Sequence, residues 1–337
     1  MTETRGLLLL VWFIVLGLFL VLYVMLDGFD LGVGMLSLTA GEKRRALMMT
    51  SLSSLWDANE SWLVVVAGTL FGAFPIAYGV ILSALYVPIV AMLFGLILRA
   101  VAFEFHELSR NKRPWGLIFG WGSSVAAVSQ GFVLGALITG AFPASGVSPG
   151  PWDWLTPYSA LVAAGVASGY ALLGATYLVL KTEGEAQARF RRRAGGIAAL
   201  VFVAAGVVTI YTPVRFHWVA RKWFETPGLY YYPIPVVVAL GAFFMLFRGL
   251  RRGFEVAPFL WSLVIFVSSF AGLAGTLFPF IVPGSLTVDQ AGADTTTLVF
   301  MLSMVSFFIP IMIAYNAYQY MVFRGKVQAD APYGEGR

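Results

Sequence analysis

The sequence predicts an all-α polytopic membrane protein of about nine transmembrane helices, forming a single transmembrane domain over 1–337. Three observations carry that expectation. The 337 residues are 59% hydrophobic and only 12% charged, with a mean hydropathy of +0.82, whereas an average soluble domain carries about 25% charged residues. Apolar runs of about 20 residues, the length a bilayer crossing needs, recur along the whole chain. Lysine and arginine collect in alternate connections, the pattern by which membrane chains set their orientation.

The apolar runs lie near 7–27, 52–74, 77–103, 116–140, 158–180, 195–213, 231–248, 258–281 and 297–322. Runs this long predict helices, because lipid offers the backbone no hydrogen-bond partner. The first, at 7–26, exceeds the apolar core of a secretory signal and reads as a true span. Each odd-numbered span exits into a basic connection. These hold Lys43, Arg44 and Arg45; Arg110, Lys112 and Arg113; Lys181, Arg189, Arg191, Arg192 and Arg193; Arg248, Arg251 and Arg252; and finally Arg324 and Lys326. Those connections are expected on the cytoplasmic side of the cell (inner) membrane, with the N-terminus outside and the C-terminus inside. The connections 141–157 and 282–296 carry no cation, and both 141–157 and 212–230 read as ordered outer surface rich in Pro, Trp and Tyr, the latter lying along the interface. The net charge of +5 is therefore a topology signal, with membrane lipid as its partner and no nucleic acid.

The absence of cysteine excludes disulfides, thiolate catalysis and iron–sulfur clusters. With only His106 and His217 available, paired histidine ligation of several haems is not expected from this chain, and no metal ligands are assigned. His106, beside Glu107, reads as a solvated histidine at the cytoplasmic mouth.

The informative residues are acids inside apolar segments. LDGFDLGVG (26–34) closes the first run with Asp27 and Asp30, and WDANESW (56–62) puts Asp57 and Glu60 at the head of the second. A charge at the centre of a membrane helix costs roughly 2.5–3.5 kcal/mol on insertion scales, so such acids are kept for a reason. At 1.5 Å per residue Asp57 is expected roughly 9 Å, and Glu60 roughly 14 Å, from the inner end of the second span. Asp27 and Asp30 end the first span at the same side, and the third brings Arg99 and Glu104 to that level. Residues three apart share a helix face, so each pair of acids projects together, with Asn59 beside the second. Carboxylates held together in low dielectric do not both ionise readily, which makes them usable proton relays. The alternative is a structural cluster in which Arg99 neutralises one acid. Gly28, Gly32 and Gly34 are candidates for close helix packing, and Trp56 is a candidate quinone contact or an interfacial anchor.

Six ordered segments resemble subunit II of a cytochrome bd-type quinol oxidase. They are LDGFDLGVG (26–34), WDANESWLV (56–64) running on to FGAFP (71–75), LRAVAFEF (98–105), GATYLVLKTEG (174–184), FPFIVPGSLT (278–287) and YQYMVFRGKV (318–327). Departures from the family pattern are Ala58 for glycine, Ser61 for an aliphatic residue and His106 for arginine; the acids are intact. The chain's compactness resembles the short, cyanide-insensitive type.

The resemblance implies two four-helix bundles plus one peripheral helix, paired with a larger subunit I of homologous fold. Subunit I would carry haem b and haem d and the quinol loop, with none ligated by this chain, and a small single-helix subunit is a further expected companion. The heterodimer would be an electrogenic ubiquinol or menaquinol oxidase of the respiratory chain, with quinol and oxygen as substrates and water as product. Carried over by position, Asp57 heads a cytoplasmic proton-uptake route that includes Asp27, Asp30, Glu60, Arg99 and Glu104, and Trp56 contacts a structural quinone. Two rivals remain open at this point: a proton-coupled secondary transporter acting alone, and a purely architectural membrane subunit.

Overall fold

The computed structural model describes residues 2–140 and 150–327. The chain opens on α1 (Thr2–Ser37), the short α2 (Glu42–Thr50), α3 (Trp56–Ala73), α4 (Pro75–Ala84), α5 (Tyr86–Leu108) and α6 (Lys112–Thr139). It continues through α7 (Pro157–Lys181), α8 (Gly184–Arg215), the short α9 (His217–Phe224) and α10 (Gly228–Tyr231), α11 (Pro233–Arg252) and α12 (Ala257–Leu277). A small antiparallel hairpin, β1 (Phe280–Val282) with β2 (Leu286–Thr287), leads through the single turn α13 (Val288–Ala291) into α14 (Thr295–Val322). Among the described residues eight helices are long and apolar enough to cross a membrane, and α3 with α4, bent by 119° at their junction, makes up to nine.

The first bundle gathers α1, α3, α5 and α6; the second gathers α7, α8, α11 and α12; α7 packs on both α1 and α6 and so joins them. The remaining long helix, α14, lies outside, against α1 and α3. The α1–α7 contact is close because glycines face each other. A Cβ on Gly32 would collide with the Tyr170 carbonyl and lie 2.9 Å from the Gly174 nitrogen, and a Cβ on Gly174 would meet the backbone of Gly32 and Val33. Gly28 and Gly34 are confined in the same way by Tyr170 and Ser123, so the glycines of 26–34 are packing residues.

Two span boundaries depart from expectation. The first helix does not end at Asp27 and Asp30 but runs on to Ser37, which leaves Asp27 roughly 15 Å from its C-terminal end. The run expected as one span over 77–103 is cut: α4 ends at Ala84 and α5 starts at Tyr86. Proline is the cause. Pro88 sits in the first turn of α5, where no N–H is needed, and Pro75 does the same at the start of α4, separating it from α3.

Basic side chains close helix C-termini, where carbonyls lack intrahelical donors. Arg45, buried, donates to the carbonyls of Ser37 and Ala40 at 3.1 Å each and so caps α1. Lys181 donates to the carbonyls of Phe323 and Gly325 at the end of α14. At the opposite side Lys222 of α9 donates to Thr276 and Phe278 at the end of α12, and Trp223 donates to the Thr276 hydroxyl. The segment 212–230 thus folds back onto α12. Arg5 ties the start of α1 to Asp289, Gly292 and Ala293. Of the connection 141–157, residues 141–149 lie outside the described residues. The remainder packs Trp154 inward and ends in a Thr156–Ser159 capping box on α7.

Candidate functional site

A polar cluster lies where α1, α3, α5 and α14 meet. Arg99 of α5 is fully buried; its Nη1 donates to Asp27 Oδ1 at 2.6 Å and its Nη2 to Glu60 Oε2 at 2.8 Å. One guanidinium therefore bridges α1 and α3, which its planar, forked donors allow and a lysine would not. Asp30, one turn along α1, is fully buried and accepts from Asn59 Nδ2 at 2.9 Å, while Asn59 Oδ1 accepts from the Tyr320 hydroxyl of α14 at 2.9 Å. Among the described residues Asp27 Oδ2, Asp30 Oδ1 and Arg99 Nε have no hydrogen-bond partner.

Five of the residues singled out in the sequence thus come together: Asp27, Asp30, Asn59, Glu60 and Arg99. Asp57 and Glu104 do not. Residues 51–55 form a turn, so α3 begins at Trp56, and Asp57 sits in its first turn, an exposed position rather than roughly 9 Å inside a span. An acid there is favoured by the helix dipole. Asp57 and Glu60 lie about 60° apart around α3, and the edge of the buried face falls between them. Glu60 turns inward with a quarter of its side chain exposed, and Asp57 turns out. Glu104 is exposed on α5, whose opposite face carries Arg99.

His106 is corrected. It is buried rather than solvated, because α5 continues to Leu108 and places it on the face of Arg99 and Phe103. Trp56 stacks on Phe103 with ring centroids 5.2 Å apart and planes 6° apart. One face of the indole is therefore filled by this chain, and a quinone would have only the rest of the ring.

Hydropathy reading missed Tyr320 and a second network at the same site. Gln130 of α6 donates from Nε2 to the Tyr23 hydroxyl at 2.7 Å and accepts at Oε1 from the Tyr170 hydroxyl at 2.7 Å. Tyr23 lies one turn from Asp27 on α1. The available signal was Gln130 itself, a lone amide in the apolar run 116–140.

Comparison with known proteins agrees with this architecture. Residues 8–323 match the family of cytochrome bd terminal oxidase subunit II. The chain is 30% identical over 342 residues to cytochrome bd ubiquinol oxidase subunit 2 of Bacillus subtilis (strain 168), covering 95% of this chain and 97% of that one. It is 29% identical over 369 residues to cytochrome bd-I ubiquinol oxidase subunit 2 of Escherichia coli (strain K12), covering 94% of each. The fold is similar to that in the structure of bd oxidase from Geobacillus thermodenitrificans, with a TM-score of 0.78 at 17% identity over 93% of this chain and 98% of that one. A match over nearly the whole chain, with Asp27, Asp30, Glu60 and Arg99 gathered in one site, leaves one conclusion: the chain belongs to the cytochrome bd terminal oxidase subunit II family and is subunit II of a cytochrome bd-type quinol oxidase.

Proposed function

We propose that this chain pairs with a haem-bearing subunit I in the cell membrane and lends acidic side chains to a route that brings cytoplasmic protons to the oxygen-reducing haem. Quinol is the reductant of the complex, and oxygen is reduced to water on the partner subunit, which carries haems b and d. The carrying observation is the arrangement of carboxylates from outside inward. Asp57 and Glu104 are exposed on α3 and α5, Glu60 is a quarter exposed, and Asp27 and Asp30 are buried. Ionisable groups on apolar helices are tolerated when they face protein or water rather than lipid. The exposed face of α3 and α5 is therefore the face subunit I covers, with Asp57 and Glu104 at the joint. The basic connections support a reading with this end of the helices at the cytoplasm and the N-terminus outside. Trp56 can present only its free ring face and edge to a structural quinone, and no step is assigned to one.

The test is Asp57→Asn in the assembled complex. Oxygen reduction should slow by about tenfold or more, the range a lost proton-transfer group produces, while haem content stays intact. Turnover equal to wild type would remove Asp57 from the route. The architectural reading has its own support, since Arg99 already makes direct ion pairs with Asp27 and Glu60 and offsets one of the two charges. On that reading the same substitution leaves turnover per haem untouched and changes only assembly yield.

A further inference from the structure

We propose that the end of α8 and the outer face of α9 bind one anionic phospholipid, with Arg215 and Arg221 on the headgroup phosphate and an acyl chain lying along α8. The site stands apart from the proton route, at the opposite end of the helices from Arg45 and Lys181. Connections at this end are poor in cations, and 141–157 and 282–296 carry none. The segment 212–230 carries three, Arg215, Arg221 and Lys222, against the trend that sets orientation. Lys222 has a packing role, since it donates to the Thr276 and Phe278 carbonyls at the end of α12. Arg215 and Arg221 have no such role. Both are exposed, and neither makes an ion pair among the described residues.

The packing of α9 decides which of its side chains face outward. Val219 is fully buried and Trp223 donates to the Thr276 hydroxyl, so that side of the helix is pinned to α12. His217 and Arg221 lie within about 40° of each other on the opposite side. Both are exposed, between the exposed rings of Trp218 and Phe224. Arginine suits a phosphate because its planar fork donates two parallel bonds, and aromatic rings of this kind settle at headgroup level. The acid of the segment, Glu225, caps α9 and pairs with neither arginine. A groove of about 450 Å³ runs along α8 toward the same place, with Phe202, Gly206, Ile210 and Val214 among its lining residues. Gly206 deepens it, since no neighbouring group lies within 4 Å of the place a Cβ would take. From Phe202 to Val214 the groove is roughly 18 Å long, and one leaflet of the hydrocarbon core is roughly 15 Å thick. Val214 directly precedes Arg215, so the apolar track ends at the first cation. A track one leaflet long that ends at two guanidiniums matches a lipid of net negative charge; a zwitterionic headgroup would bring its own ammonium to the same arginines. The second bundle, to which α8 belongs, also lies away from the α3 and α5 face given to subunit I.

The test uses the intact complex of this chain with its partner subunit. Val214→Cys puts a thiol at the mouth of the groove. A bimane fluorophore is attached before reconstitution, and the signal of the complex without that thiol is subtracted. The vesicles contain phosphatidylcholine and phosphatidylglycerol, with one or the other brominated high on its acyl chains to quench the bimane. Quenching against lipid composition gives the preference of this position for the anionic lipid. Each arginine should contribute about fivefold to it. Arg215→Gln and Arg221→Gln should therefore each lower the preference about fivefold and the double variant should abolish it, at unchanged haem content. Arg215→Lys with Arg221→Lys should keep most of it, and salt at about 1 M should shrink it in wild type. Equal quenching by the two lipids with both arginines present, or a preference that survives the double glutamine variant, would overturn the proposal. Quenching by neither lipid would mean that polypeptide covers the groove, and overturns it as well.

Discussion

Arg99 is the only cation in contact with Asp27 and Glu60 among the described residues, and its contact with Asp27 is fully buried. Removing one partner of such a pair leaves an uncompensated buried charge, which costs about 3–5 kcal/mol. Arg99→Met should therefore lower the thermal midpoint and the yield of the assembled complex strongly. Arg99→Lys should recover little, since one ammonium cannot reach two carboxylates with fixed fork geometry. Differential scanning fluorimetry of purified complexes checks both; a lysine variant as stable as wild type would show that charge alone, without the fork, holds the cluster. The sequence disclosed these residues only in part. Charged groups in apolar runs announce themselves, so Asp27, Asp30, Glu60 and Arg99 were readable. The sixty degrees that separates Asp57 from Glu60 around α3 was not, because which side of the helix packs depends on where its partners lie. Tyr23, Gln130, Tyr170 and Tyr320 escaped because phenols and amides disturb hydropathy little until they are found bonded to one another.

Helix contacts show the same division between local and relational information. The spans over α6, α7, α11 and α14 were legible because a bilayer crossing writes its length as an apolar run. The α3–α4 bend was written in Pro75 and the α4–α5 break in Pro88, but the latter lay inside a continuous apolar stretch, which hydropathy averages over. The overrun of α1 to Ser37 carries Asp27 to Arg99 of α5 and the glycines of 26–34 to α7, partners that lie elsewhere in the chain. Gly32 tests that contact. Adding one methyl drives it into the Tyr170 backbone, so Gly32→Ala must separate α1 from α7, and overpacking of this kind costs about 1–3 kcal/mol. Gly68 of α3 has open space around a Cβ, so Gly68→Ala should be neutral or slightly stabilising by helix propensity. A lower thermal midpoint for the first alone is the expected pair of results. The inner end of α14 is held by a weaker device. Lys326 lies 2.8 Å from Glu255 and 3.4 Å from Glu183. Its bond to Glu255 raises Lys326 above the ordinary lysine value, and the bonds from Lys326 and Gln187 lower Glu255 below the ordinary carboxylate value. A lowered acid stabilises above its unfolded pKa and loses that contribution as pH falls through the folded value; a raised lysine loses it as pH rises through the folded value. The tether is therefore complete from about pH 5 to 10. Amide exchange near Val327, whose N–H bonds to the Lys181 carbonyl, should quicken in acid once intrinsic exchange is corrected for, and Lys326→Met should show that faster exchange already at neutral pH.

Taken whole, the chain presents two unlike outer faces. The face of α8 and α11 carries aliphatic and aromatic side chains such as Leu200, Val203, Phe244 and Leu240. The face of α3 and α5 is as apolar at Val64, Phe94 and Ile97, but it also carries Asp57 and Glu104. Lipid suits the first face and penalises the second, where each ionised acid near the hydrocarbon costs up to a few kcal/mol. A partner that supplies polar atoms at the inner ends of α3 and α5 removes that cost, and the apolar remainder of the face adds burial at roughly 25 cal/mol per Å². The sequence lacks cysteine, so a single introduced thiol reports on one position without background. Val64, 73% exposed on α3, and Phe244, 64% exposed on α11, make the comparison. In membranes carrying the assembled complex, a lipid-soluble maleimide should label Val64→Cys more slowly than Phe244→Cys, although a thiol in hydrocarbon ionises poorly and both reactions are slow. In this chain expressed without its partner both should react. Equal labelling of the two positions in the complex would move subunit I to another face, and would leave Asp57 and Glu104 without the neighbour that their place on α3 and α5 requires.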